Sequence, residues 1–138
     1  KLQTNKVKFA VKIFDYIHSV DSEKLAKKIS DEQIKINKKI KIFIQVNIGQ
    51  ENQKSGTNVD ELSSLISYCS EINLDVVGLM CIPPQDEDSV IYFEKMKKLN
   101  EENNFRELSM GMSSDYLKAV INNASYLRIG SSIFGQRY

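Results

Sequence analysis

Between residues 40 and 48 the chain alternates strictly. Ile40, Ile42, Ile44, Val46 and Ile48 are separated by Lys41, Phe43, Gln45 and Asn47. A period of two in a stretch rich in β-branched residues predicts a strand. Four more segments read the same way: 15–20, 76–82, 107–110 and 126–129. Residues 76–82 are almost wholly apolar, as in a strand covered on both faces, and Pro83 and Pro84 end it because neither can donate to a ladder. Between the strands the apolar residues move to helical spacing. Leu25, Ala26 and Ile29 follow the candidate caps Asp21 and Ser22; Leu62, Leu65, Ile66, Cys69 and Ile72 follow the first-turn acids Asp60 and Glu61. Val90, Phe93, Met96 and Leu99 make a third stripe, and Tyr116, Leu117, Val120 and Ile121 a fourth. Val7, Ala10, Val11 and Phe14 make one more, ahead of the first strand.

Strands alternating with helices across short connections imply a parallel sheet with right-handed crossovers. The chain has 138 residues, which suits one domain over 1–138 and a doubly wound five-stranded sheet, whereas a (β/α)8 barrel usually needs about 200 or more. The faces of the strands pull the other way. In 40–48 the branched aliphatics share one face and Phe43, Gln45 and Asn47 the other; in 126–129 Leu127 and Ile129 oppose Tyr126 and Arg128. Barrel strands carry this asymmetry, and so do partly solvated edge strands.

Composition narrows the function. A net charge of +1, from 19 Lys plus Arg against 18 Asp plus Glu, lacks the basic surplus of a nucleic-acid or anionic-membrane protein. No apolar run approaches the ~18 residues that span a bilayer. Two cysteines are too few for a disulfide framework and point to reduced thiols in the cytoplasm. The chain opens at Lys1 without Met, which suggests the remainder of a longer protein.

The candidate chemistry lies near the C-terminus. Gly111, Met112, Ser113, Ser114 and Asp115 follow one strand; Gly130, Ser131 and Ser132 follow Arg128 and Ile129 on the next. Glycine turns with exposed N–H groups and serine hydroxyls suit an anion, and (β/α)8 folds often hold phosphate after their last two strands. Each turn alone reads more readily as ordinary helix capping, and the pair less so. Arg128, between apolar neighbours, needs a partner: a ligand, Asp15 or Glu107. His18 is the only histidine, which excludes a histidine metal cluster. Cys69 sits on a core stripe, Cys81 has no adjacent base, and Lys54 lies on a loop, 51–56, of the kind that is usually solvated. No Walker loop, dinucleotide fingerprint or nucleophile elbow is present.

Residues 108–115 (LSMGMSSD) and 128–137 (RIGSSIFGQR) together resemble the C-terminal signature of the pyridoxal phosphate homeostasis proteins, the YggS/PROSC family. Residues 2–6, 51–56 and 78–83 match other stretches of that family in the same order. The resemblance implies an alanine-racemase-type (β/α)8 TIM barrel, here about five β/α units, strands four to eight. It implies pyridoxal 5′-phosphate (PLP) as cofactor and a non-enzymatic carrier or buffer in PLP homeostasis. By position, Ser113, Gly130 and Ser131 resemble the phosphate-binding groups, with serine at 131 where relatives usually have threonine. Arg128 matches the arginine that approaches the pyridine nitrogen. The Schiff-base lysine is expected upstream of Lys1. Alternatives are a fold-type III PLP enzyme such as an amino-acid racemase, or an unrelated phosphate-ligand TIM-barrel enzyme. The expected partner is the cofactor alone, without nucleic acid or membrane. The full-length protein is expected to be a monomer and a partial barrel to self-associate through its open edges.

Overall fold

The computed structural model describes residues 1–52 and 54–137; Gln53, in the expected loop, and Tyr138 lie outside them. Five strands, β1 (Tyr16–Val20), β2 (Lys41–Gln45), β3 (Asp75–Met80), β4 (Glu107–Met112) and β5 (Tyr126–Arg128), pair in parallel in the order of the chain. The helices are α1 (Val7–Ile13), α2 (Glu23–Lys35), α3 (Val59–Glu71), α4 (Ser89–Glu102), α5 (Tyr116–Ile121) and α6 (Ser131–Phe134). The strand order never reverses, so right-handed crossovers put α2 to α5 on one face of the sheet. That is the winding of a barrel, and the doubly wound sheet favoured by chain length is set aside.

The helix-covered face holds the core. Ile42, Ile44, Leu79 and Met110 are fully buried with Ile29, Leu62, Phe93 and Met96, and each such side chain contributes about 1.5–3 kcal/mol. Val7 and Val11 of α1 join the cluster, but Phe14 falls beyond the helix end and is exposed. The opposite face is concave and carries Tyr16, His18, Phe43, Ser109, Tyr126 and Arg128. Its curvature is measurable: His18 of β1 and Ser109 of β4 hydrogen-bond at 2.8 Å, although a flat sheet would separate strands three apart by about 14 Å. The asymmetry of the strand faces therefore reflects a curled sheet.

Local chemistry explains where elements start and stop. The Ser22 hydroxyl accepts from Leu25 N–H and caps α2, as expected. The helices α2 to α5 all end on an asparagine with positive φ, Asn37, Asn73, Asn104 and Asn123. In each, the next N–H reaches back five residues, as from Lys38 to the Gln33 carbonyl and from Leu74 to that of Cys69. This is the Schellman ending, with asparagine in the left-handed position that glycine more often fills. Strand β2 stops at Gln45, shorter than the alternation suggested, because Val46 turns to bridge Thr57 of the returning loop. That loop is held by the Asp21 carboxylate, which accepts from Gly56 N–H at 3.1 Å, and by Asn47, which bonds Glu51 in both directions.

Candidate functional site

The two glycine–serine turns leave neighbouring strands. The register pairs Met112 with Arg128, so Ser113 and Gly130 emerge at one level of the rim. Gly111 turns the end of β4 at φ +101, where a Cβ would lie 2.7 Å from that of Ala119; only glycine fits there. The Asp115 carboxylate accepts from Met112 N–H at 2.8 Å and closes the first turn, rather than capping α5 as a helix-start acid would. The Ser113 hydroxyl oxygen then accepts from the backbone N–H groups of Gly130 and Ser132, at 3.2 and 3.1 Å. The two turns thus meet at one hydroxyl.

They line a cleft of about 920 Å³ with Ser113, Arg128, Gly130, Ser131, Phe134 and Arg137 among its walls. A Cβ built on Gly130 would meet nothing within 4 Å, so the backbone there is bare. A second hollow of about 400 Å³ adjoins it through Met112 and Ser114 and is lined also by Lys54, Pro83, Pro84 and Lys118. Lys54 is exposed and lies 3.8 Å from Glu51, which fits the solvated loop expected of it.

Arg128 occupies the cleft floor with neutral partners. Its Nη2 donates to the Cys81 carbonyl at 2.8 Å and its Nη1 to the Ser109 hydroxyl at 3.4 Å. Neither protein carboxylate considered for it takes that place: Asp15 pairs with Lys38, and among the described residues no ion pair joins Glu107 to Arg128. Burial lowers the Arg128 pKa, against smaller raising effects of the nearby Cys81 and Asp115. Cys69 and Cys81 are buried free thiols, pushed up to about 11 and about 12 by burial, and so stay protonated and unreactive near neutral pH. No group of three or more His, Cys, Asp or Glu is placed to hold a metal among the described residues.

Sequence reasoning missed two residues that stand behind Arg128. Ser109 is fully buried and sits between Arg128 and His18 Nδ1. The His18 ring stacks on Phe43 at 4.3 Å between centroids. Strand parity was the available signal, since both residues share the inward face of their strands. Burial first, and then the Arg128 charge, lower the His18 pKa below 6.5. A histidine whose folded pKa is depressed leaves the unfolded chain binding more protons. Stability should therefore decline as pH falls from about 7 through the ordinary histidine range to about 5.5, with a shallower decline in His18→Asn; urea midpoints across that range check it.

The model of the alanine racemase N-terminal domain matches residues 2–138. The pyridoxal phosphate homeostasis protein of Aquifex aeolicus is 39% identical over 99% of this chain and 64% of its own length. That of Escherichia coli K12 is 32% identical over 99% and 62%. The chain thus spans a little under two thirds of these relatives. Among solved structures, PipY of Synechococcus elongatus, determined with PLP bound, superposes with a TM-score of 0.89 at 32% identity, covering 98% of this chain and 68% of PipY. No helix among the described residues is long and apolar enough to cross a membrane. The chain belongs to the alanine racemase N-terminal domain family and, within it, to the pyridoxal phosphate homeostasis proteins.

Proposed function

We propose that this chain binds pyridoxal 5′-phosphate through its phosphate and serves PLP homeostasis in the cytoplasm as a carrier or buffer without catalytic turnover. The observation that carries the reading is the Ser113 hydroxyl meeting the Gly130 and Ser132 amides. The residues present fit the cofactor: bare backbone at Gly130 leaves room for phosphate oxygens, Ser113 and Ser131 add hydroxyls, and Arg128 has only neutral partners. PLP, when bound, supplies an aldehyde that combines with amines and a pyridine ring that withdraws electrons.

The chain's own groups set what that ring can do. Arg128 donates hydrogen bonds and accepts none, so beside a ring nitrogen it holds that nitrogen unprotonated and weakens the ring as an electron sink. That suits safekeeping of the cofactor better than turnover. The names of the relatives, homeostasis proteins, support the same side. The buried free thiols accord with a reducing cytoplasm.

In this reading residues 1–138 are one domain, strands four to eight of an eight-stranded (β/α)8 barrel. The concave face free of helices and the unpaired outer edges of β1 and β5 support it. Exposed apolar residues lie near both edges, Phe9 and Ile13 on α1 and Ile121 and Phe134 toward the C-terminus, and such edges invite pairing. The chain alone is expected to sediment as more than a monomer; a monomeric species with a cooperative melt would contradict this.

Equilibrium dialysis tests the binding reading. The chain should retain PLP better than pyridoxal, which lacks the phosphate, and Ser113→Ala should weaken retention of PLP about tenfold. Equal retention of the two compounds would overturn a phosphate-held cofactor.

A further inference from the structure

Arg128, in the wall of the cleft, is held from segments that are distant in sequence. Arg128 ends β5, and its guanidinium must be held by groups that accept hydrogen bonds, because it can only donate. One acceptor, the Cys81 carbonyl, is backbone. The other is the Ser109 hydroxyl, which is fully buried on β4 between Leu108 and Met110.

A serine hydroxyl has one proton and two lone pairs. With Arg128 Nη1 donating to Oγ, the Ser109 proton is left to be placed, and His18 Nδ1 lies 2.8 Å away. That distance is a hydrogen bond. Ser109 therefore donates to Nδ1, which requires Nδ1 to be bare and the ring proton to sit on Nε2. Protonating Nδ1 instead would fill both lone pairs of Oγ and turn the buried Ser109 proton away from the ring. It would also set a second cation beside Arg128. The His18 ring is fixed against this, stacked on Phe43 and edge-on to Tyr126 at 5.5 Å.

We propose that Ser109 and His18 are positioning residues: His18, as the neutral Nε2–H tautomer, orients the Ser109 hydroxyl, and that hydroxyl aims the Arg128 guanidinium at the bound ligand. The proposal deepens the PLP reading and rests on it only for what the guanidinium meets. A residue on the first strand thereby governs a binding group on the last.

Nitrogen-15 NMR of the full chain near neutral pH tests it without any ligand. The His18 Nδ1 signal should be that of a bare ring nitrogen, and the Arg128 Nη protons should be resolved by slowed rotation. Ser109→Ala and His18→Leu should each collapse those Arg128 signals. His18→Asn, whose side-chain oxygen can accept from Ser109, should keep them, and Arg106 should be unchanged throughout. With PLP as probe, Ser109→Ala should weaken retention at least about threefold while leaving retention of inorganic phosphate as it is. A protonated Nδ1 in the unaltered chain, or Arg128 signals indifferent to both disruptive variants, would overturn the proposal. If the unaltered chain retains no PLP, the cofactor reading fails, while the His18 and Arg128 signals still decide the positioning.

Discussion

Gly78→Ala is expected to destabilise the chain by at least about 3 kcal/mol, at the upper end of what overpacking costs, and Gly78→Val to leave it unfolded. Gly78 pairs with Glu107 where β3 passes β4. A Cβ at residue 78 would stand 1.8 Å from the Glu107 carbonyl oxygen and 2.6 Å from its carbon, with the Phe43 ring at 3.2 Å on another side. The first two obstacles are backbone, and they cannot swing away as a side chain end would. Strand β3 is also tied to β2 by five register pairs, so it cannot retreat without breaking a ladder. Total stabilities are typically about 5–15 kcal/mol, so this one methyl consumes much of the margin. Urea denaturation followed by circular dichroism measures it. A Gly78→Ala midpoint equal to that of the unaltered chain would mean that β3 and β4 do not approach this closely.

The second large effect is on binding. Arg128→Met should reduce affinity for PLP by about ten- to a hundredfold, the range for losing a charge-assisted hydrogen bond. Arg128→Lys should recover only part of it, because an ammonium cannot reach the Cys81 carbonyl, the Ser109 hydroxyl and a ligand with a planar fork. The folded chain itself carries an independent check. The Arg128 charge is one of the two causes that lower the His18 pKa, so Arg128→Met should let that histidine titrate closer to its ordinary range. Fluorescence titration with PLP reads the first effect and proton NMR of His18 the second. Unchanged PLP affinity in Arg128→Met would remove the arginine from the site.

Much of this was legible in the sequence because the determinants are local. Period-two alternation at 40–48 and an apolar run at 76–82 each mark a strand, and all five segments formed one. The stripes of Leu25 and Ile29, or of Leu62 and Leu65, face the core as their spacing requires. The alternation at Val46 and Ile48 misled about the end of β2, since side chains keep alternating where Thr57 takes one edge of the backbone while the Val46 N–H still donates to Met80 of β3. The asparagines that close α2 to α5 were an overlooked local signal. Each stands where its helix must stop, and each can enter the left-handed region at lower cost than most residues.

The site was legible only in halves. Both turns were visible as motifs, yet their meeting at the Ser113 hydroxyl depends on β4 and β5 being neighbours in register. Arg128 was recognisable as a buried cation in need of partners, and a carboxylate was a reasonable expectation. Its protein partners are instead the carbonyl of Cys81, just past the end of β3, and the hydroxyl of Ser109 on β4. The His18–Ser109 contact joins residues 91 positions apart and exists only because the sheet curls. Curl is a property of five strands together, and no single strand announces it.

In the proposed mode of binding, one phosphate is gripped where the two turns converge. Backbone amide NMR of the nitrogen-15-labelled chain titrated with PLP tests this most directly. The largest shifts should fall on the amides of Ser113, Gly130, Ser131 and Ser132, and inorganic phosphate should shift the same four in the same directions. Shifts centred on Lys54 and Lys118 in the neighbouring hollow, with those four amides unmoved, would contradict it.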